Sequence, residues 1–229
     1  REYCFMTPEE RALLNSSARP IVLLETKKNA FSPLVNKTSR YTGSFLPSMG
    51  LQYLLIEACG PLIVTSGNLS DSPMIREDQK MFDLYEEKRE LLAAVLYHDR
   101  DIRLVVDDSV VRVIDKRPQM VRRSKGYAPV PLYIADDYAV KKEDMILALG
   151  GQLKAAFTMS KGNFAYVSQF FGDLDAEEIR ENYVENIEWM KELFHIEPNL
   201  LVTDMHPLYF TYDFAKEYGE KHNIPILRV

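Results

Sequence analysis

The stretch TSGNLSD at residues 65–71 crowds hydroxyls, an amide and a carboxylate directly behind the apolar run PLIV. Ligands of open α/β sheets sit beyond the carboxyl ends of the strands. Side-chain dipoles there, with the backbone N–H groups that Gly67 leaves accessible, can hold phosphate oxygens without a fixed charge. Thr65, Ser66, Asn68 and Ser70 are the groups able to do so. The same residue types make ordinary Asx and Ser turns, with Asp71 or Ser72 capping a following helix, and both readings stay open at this level. In VVDDSVVR (105–112), Asp107 and Asp108 stand beside Ser109. Paired carboxylates next to a hydroxyl could orient Mg²⁺ or a nucleotide, or could simply shape a hairpin turn.

VRRSKG (121–126) brings Arg122, Arg123 and Lys125 to a strand end. A planar guanidinium fits phosphate or carboxylate bidentately, so the three form a candidate anion site; the alternative is an edge strand protected by charge. ALGGQLKAAF (148–157) reads as strand, two glycines, Lys154 and strand. That suggests a tight hairpin whose backbone approaches phosphates or makes only a turn; the GxxxxGK[ST] phosphate loop is absent. In VTDMHPLY (202–209), Asp204 and His206 fit a polar strand end leading into a helix with Pro207 at its start better than a metal site. His98, His195, His206 and His222 are too scattered to suggest a cluster.

Two α/β units must position these groups. Thr7, Pro8 and Glu10 carry a capping box with proline at the first helical position, predicting a short helix. PIVLLETK (20–27) predicts a strand, MGLQYLLIEAC (49–59) a helix with Leu51, Leu54, Leu55 and Ala58 on one face, and PLIVT (61–65) an inner parallel strand. A helix over most of 76–95 is followed by β-rich IRLVVDD, SVVRVID and QMVRRS. Pro129, Pro131, Asp136, Asp137 and KKED interrupt every periodicity across 127–144, the linker candidate, with 136–144 taken as the linker between a unit at 1–135 and another at 145–229. In the second unit MILALG, AAFTMSK and FAYVSQF read as strands. A long helix over 176–197 has Ile179, Tyr183, Ile187, Met190 and Phe194 as its buried stripe. NLLVTD, a helix over 207–222 and IPILRV complete the pattern.

The whole-chain properties are permissive. A chain of 229 residues can bury one large core or two modest ones. A net charge of −6 argues against general nucleic-acid binding, while leaving room for a local basic site. Cys4 and Cys59 form no CxxC pair, so neither a zinc knuckle nor a disulfide framework is expected, and a reducing cytoplasm is the simplest setting. No run approaches the 18 apolar residues of a membrane span, and no signal peptide is visible. The start at Arg1 suggests a cut or processed end.

In order, RPIVLL, PLIVTSGNLSDSP, YHDRDIR, DDSVVR, RRSKGYAP, LALGGQLK, SQFFGDLD and DMHPLY resemble the carbamoyltransferase HypF family of hydrogenase maturation factors over nearly the whole chain. The resemblance implies an α/β fold: the later part of a YrdC-like twisted mixed-sheet domain, shared with threonylcarbamoyl-adenylate synthases, followed by the first part of an actin-like (ASKHA) ATPase domain. It implies that carbamoyl phosphate and ATP, with Mg²⁺, form a carbamoyl adenylate. The carbamoyl group then passes to the C-terminal cysteine of a HypE-type partner for cyanide-ligand synthesis. It implicates Ser66 and Asn68, with Thr65 and Ser70 beside them, as nucleotide contacts, together with Asp108 and Ser109. Arg122 is expected at phosphate, and Lys125 joins it in neutralising charge during catalysis. Lys154, Gln169 and Asp173 are the candidates in the second unit.

Departures accompany the resemblance. Gln52 and Tyr53 stand where the family usually carries a histidine pair, and Gln152 where it usually carries Glu. Losing that carboxylate removes any general-base role. The acylphosphatase-like and zinc modules are absent, as is the front of the adenylating domain. The chain therefore reads as a fragment of a larger enzyme whose zinc lies in the absent parts and which has little activity alone. Two other readings stay open: a threonylcarbamoyl-adenylate synthase relative acting in tRNA modification, and a non-catalytic docking module.

Overall fold

The computed structural model describes residues 2–32, 34–35, 39–69, 74–134, 141 and 143–229. The capping box forms as the sequence requires. The Glu10 N–H donates to Thr7 Oγ1 (3.2 Å), and the Glu10 carboxylate accepts the Thr7 N–H (2.7 Å), with Pro8 at the start of α1 (Pro8–Asn15). β1 (Ile21–Glu25) buries Val22 and Leu24, which cluster with Cys4 and Leu14. β2 (Tyr41–Ser44), α2 (Gly50–Cys59), α3 (Asp78–Glu87), β3 (Val110–Ile114) and β4 (Arg117–Arg122) follow. They give a four-stranded sheet of order β2-β1-β3-β4, in which β1 and β3 are parallel and the outer pairs antiparallel.

Three expectations for this unit are corrected. Residues 61–65 form no strand and are exposed, Ile63 at 74%. A continuous apolar run states that residues favour burial but names no partner. The sheet offers only β2 and β4 as edges, and 61–65 pairs with neither. For the same reason α2 has helical periodicity yet buries nothing, with Leu51, Leu54 and Leu55 on the surface. The segment 102–108 is irregular apart from a bridge at Asp108, and the helix expected over 76–95 is confined to α3.

The second sheet holds β5 (Leu132–Tyr133), β6 (Met145–Ala148), β7 (Thr158–Lys161), β8 (Phe164–Val167), β9 (Leu200–Thr203) and β10 (Ile226–Arg228) in the order β10-β9-β6-β7-β8-β5. β6, β7, β8 and β5 run antiparallel in turn, while β6, β9 and β10 are parallel. Parallel neighbours need crossovers, supplied by α4 (Glu177–Phe194) and α5 (Phe210–His222). The expected boundary at 135 places β5 with the first unit, while its hydrogen bonds go to β8; the 136–144 linker lies mostly outside the described residues. The 148–157 stretch is not a tight hairpin, because residues 149–157 separate β6 from β7.

The stripe on α4 packs as its period demands. Tyr183, Ile187 and Met190 are fully buried, with Ile179 and Phe194 partly so. The Tyr183 ring meets Phe157 and Phe171 edge-on, while Phe157 stacks on Phe171. Such ring pairs contribute roughly 0.5–1.5 kcal/mol each beyond their burial. The Tyr183 hydroxyl donates to the Leu149 carbonyl at the point where β6 gives way to Gly150, so the core helix holds the glycine turn. Tyr183→Phe orphans that buried carbonyl and should lower stability by about 1–2 kcal/mol. Urea denaturation monitored by the fluorescence of Trp189, which packs against the same core, measures it; an unchanged midpoint refutes the role of the bond.

Candidate functional site

The first cluster is built where β3 begins and β4 ends. Val110 pairs with Arg122 and Val111 with Met120, so Val121 is the extra residue of an irregularity in β4, a device that re-aims neighbouring side chains. Ser109, 1% exposed, accepts the Ser124 N–H (2.7 Å) and donates to the Lys125 carbonyl (3.0 Å). The Lys125 N–H donates to the Asp107 carbonyl (3.1 Å). These bonds clamp DDS against RSK. The chain turns away at Gly126, where φ is +84° and a Cβ would lie 2.4 Å from the Ala18 carbonyl oxygen, so glycine is required there.

The clamp brings four charges together. Arg122 pairs with Asp107 (3.4 Å), and Lys125 pairs with Asp108 (3.2 Å) while donating to Ser48 Oγ (3.1 Å). The guanidinium of Arg122 also lies over the Phe170 ring, 5.0 Å from its centroid, a cation–π arrangement. Burial pushes the Asp107 carboxyl up; Arg122 opposes this and Asp108 adds to it. Both pairs are partly open to solvent, Arg122 at 36% and Lys125 at 42%. Ion pairs of this exposure contribute about 0–1 kcal/mol, weak enough to be exchanged for a phosphate.

The TSGN loop stands differently. Thr65, Ser66 and Asn68 are exposed; Ser66 Oγ donates to Asn68 Oδ1 (2.6 Å), the Asn68 amide donates to the Leu69 carbonyl (2.9 Å), and the Gly67 carbonyl accepts the Ile75 N–H (3.0 Å). The contacts that join Arg122, Lys125, Ser109 and Ser48 do not include Ser66 or Thr65. Ser70 lies outside the described residues.

In the second unit Lys154 and Asp173 come together and Gln169 does not join them. The Asp173 carboxylate accepts the Lys154 N–H (2.8 Å), stabilising that residue at a φ of +51°. The Ala155 N–H also donates to the Gly172 carbonyl (2.7 Å) and the Ala155 carbonyl accepts the Phe171 N–H (2.9 Å), lacing the two loops. Gln152 spans a wider gap: its amide donates to Asp175 (2.8 Å), and its carbonyl oxygen accepts the Phe210 N–H (2.9 Å) at the start of α5. A carboxylate there would face Asp175 with like charge, so the amide suits this environment. Gln169 is buried between the units and donates to the Val105 carbonyl (2.7 Å).

Arg123 departs from the expected anion trio. Its guanidinium is engaged by the carbonyls of Val167, Tyr127 and Val130, and burial pulls it below its usual value. Three contributors were missed. Ser48 precedes α2, and its N–H donates to Gln52 Oε1 (2.8 Å); the Ser-to-Gln spacing was the available signal. Phe170 and Asp175 carried none, because their partners lie tens of residues away. Among the described residues no group of three or more His, Cys, Asp or Glu side chains could hold a metal alone, and no helix is long and apolar enough to cross a membrane.

A mixed sheet with a charged strand end, followed by a six-stranded sheet with two crossover helices, defines an α/β protein of two joined units. Residues 1–124 match the Sua5/YciO/YrdC family model, described as telomere recombination, and residues 141–229 match the HypF Kae1-like domain. The chain belongs to the carbamoyltransferase HypF family, as a YrdC-like unit joined to a HypF Kae1-like unit. It is 34% identical to carbamoyltransferase HypF of Synechocystis sp. over 95% of this chain and 27% of that protein. It is 30% identical to carbamoyltransferase HypF of Rhizobium leguminosarum over 96% of this chain and 28% of that protein. A crystal structure of full-length HypF in its phosphate- and nucleotide-bound form aligns over the whole chain and 35% of its own, with a TM-score of 0.81 and 33% identity. HypF of T. kodakarensis aligns over the whole chain and 29% of its own, with a TM-score of 0.87 and 28% identity. The chain thus spans little more than a quarter of the length of the two sequence relatives.

Removing the clamp tests the geometry of the first cluster. Ser109→Ala leaves the Ser124 N–H and the Lys125 carbonyl without their partner and should destabilise the protein by roughly 1–3 kcal/mol. A chemical-denaturation midpoint equal to that of the wild type would show that the hydroxyl clamps nothing.

Proposed function

We propose that this chain contributes to two successive sites of a carbamoyltransferase acting in hydrogenase maturation. On this reading the YrdC-like unit activates a carbamoyl group as its adenylate, using carbamoyl phosphate and ATP. The Kae1-like unit then helps pass the group to the C-terminal cysteine of a HypE-type partner. The single observation that carries the reading is the pairing of Arg122 and Lys125 with Asp107 and Asp108 at one strand end, in a chain similar to a HypF solved with phosphate and nucleotide.

Each cation is held by a weak pair that it can exchange for phosphate oxygens, Arg122 through a bidentate fork and Lys125 as a point charge. The two carboxylates so released suit Mg²⁺, which binds through one or two carboxylates plus nucleotide phosphates. When bound, the ion would supply neutralisation of phosphate charge. Thr65, Ser66, Asn68 and Ser70 serve as nucleotide contacts in this scheme, and Ser109 acts by holding Asp108 and Lys125 in place. Water first cleaves carbamoyl phosphate to carbamate and inorganic phosphate, which leaves; adenylation then forms a bond between a carbamate oxygen and the α-phosphorus of ATP and breaks the bond to pyrophosphate. Arg122 and Lys125 stabilise the charge that develops on the leaving group. In transfer, a thiolate sulfur bonds to the carbamoyl carbon and the carbon–oxygen bond to AMP breaks. Lys154 is the second unit's candidate for meeting phosphate, with Asp173 positioning its loop through the Lys154 N–H, while Gln169 serves the junction between the units.

In the full-length protein, Arg122→Ala should reduce carbamoyl-phosphate-dependent ATP–pyrophosphate exchange by about 100-fold or more, the scale of losing one charge-stabilising donor, with an unchanged thermal midpoint. Undiminished exchange removes Arg122 from the mechanism. Calorimetric titration of the wild type with Mg–ATP should give heat that Arg122→Ala loses; a silent wild type that still binds its partner protein would mark a docking module instead.

A further inference from the structure

Arg123 follows the anion-site residue Arg122, and neighbouring side chains of an extended chain point to opposite sides. Arg122 faces Asp107, and the Arg123 guanidinium goes the other way. It donates to the carbonyls of Val167 at the end of β8 (2.9 Å), Tyr127 (2.8 Å) and Val130 (3.0 Å). It forms no ion pair with any described residue. Its own carbonyl accepts the Phe170 N–H (3.1 Å). The segment 168–170 is therefore gripped by the end of β4 on one side, and through Gln169 it holds the Val105 carbonyl on the other (2.7 Å). Phe170 is also the residue whose ring lies against Arg122, and three residues further on Asp173 holds the Lys154 loop.

Other contacts cross between the units. Arg76 pairs with Glu185 (3.1 Å) and Lys80 with Glu178 (3.6 Å), all with side chains 39–61% exposed. Such surface pairs contribute about 0–1 kcal/mol and tolerate several geometries. A rigid fork satisfied by three carbonyls fixes one geometry.

We propose that Arg123 is a positioning residue that locks the 107–125 cluster to the 168–173 segment, so that the group activated at the first site reaches the second without release to water. The delivery part rests on the function proposed above, whereas the lock itself does not. The lock holds two anchor points, the end of β4 and the end of β8, in one register. Losing it lets the units separate locally while each keeps its own core.

The test uses the full-length protein with Arg123→Lys and Arg123→Ala, each accepted only if its circular dichroism matches the wild type; the lysine variant keeps the charge but cannot reach three carbonyls with one ammonium. Backbone amide exchange at 167–171 and 105–107 should accelerate about 10-fold or more in both variants, as expected of local opening, while exchange in α4 stays unchanged. The ATP–pyrophosphate exchange KM for ATP should stay within about threefold, and ATP consumed per carbamoyl group transferred should rise at least about fivefold, as an escaping adenylate requires. Unaltered amide exchange at 167–171, or adenylation and transfer falling in parallel, overturns the proposal. A wild type without ATP–pyrophosphate exchange refutes the adenylation reading instead, and the amide-exchange result then upholds or overturns the lock by itself.

Discussion

Two hydrogen bonds from one buried hydroxyl set the separation between the carboxylates of Asp107 and Asp108 and the cations of Arg122 and Lys125. Ser109 accepts from one residue of the RSK turn and donates to the next, so the turn cannot slide without orphaning a buried donor or acceptor. A hydroxyl does this where a methyl could not, because both of its functions are used at once. The extra residue at Val121 of β4 and the glycine at 126 serve the same constraint: the chain must be brought alongside and then turned sharply past Ala18.

The two units are held together by different means. The second buries an aromatic and aliphatic core around Tyr183, Phe157 and Leu147, with two crossover helices covering the sheet. The first rests on a small cluster under β1 and leaves the apolar residues of α2 and 61–64 on the surface. Charge placement mirrors this division. In an acidic protein the basic residues of 122–125 would bind anions indiscriminately if left open. Asp107 and Asp108 cap two of them loosely, and the backbone carbonyls around Arg123 engage the third through three hydrogen bonds. Neighbouring residues in one short stretch thus take unlike roles, one facing an exchangeable carboxylate and the other fixed in the junction.

Much of this was legible from local signals. The capping box at Thr7, the stripe of α4 and the short strands of the second unit depend on residues within one or two turns of each other, where periodicity and backbone hydrogen bonding act directly. The gathering of DDS with RRSK was legible only as two separate motifs. The strand expected at 61–65 failed because an apolar run states a need for burial and is silent about which edge receives it. Phe170 under Arg122 and Asp175 on Gln152 left no trace, since contacts spanning tens of residues have no period.

The amino-acid sequence by itself determined the capped start of α1, the apolar stripe of α4 and which stretches carry phosphate-compatible chemistry. Tertiary structure alone decided that Ser109 is a clamp, that Arg122 and Arg123 part company, that Gln169 belongs to the junction between units, and that Gln152 answers a neighbouring carboxylate. Side-chain type limits what a residue can bond, but its partner is chosen by whichever distant strand end the sheet topology brings within 3 Å or so, a typical hydrogen-bond length.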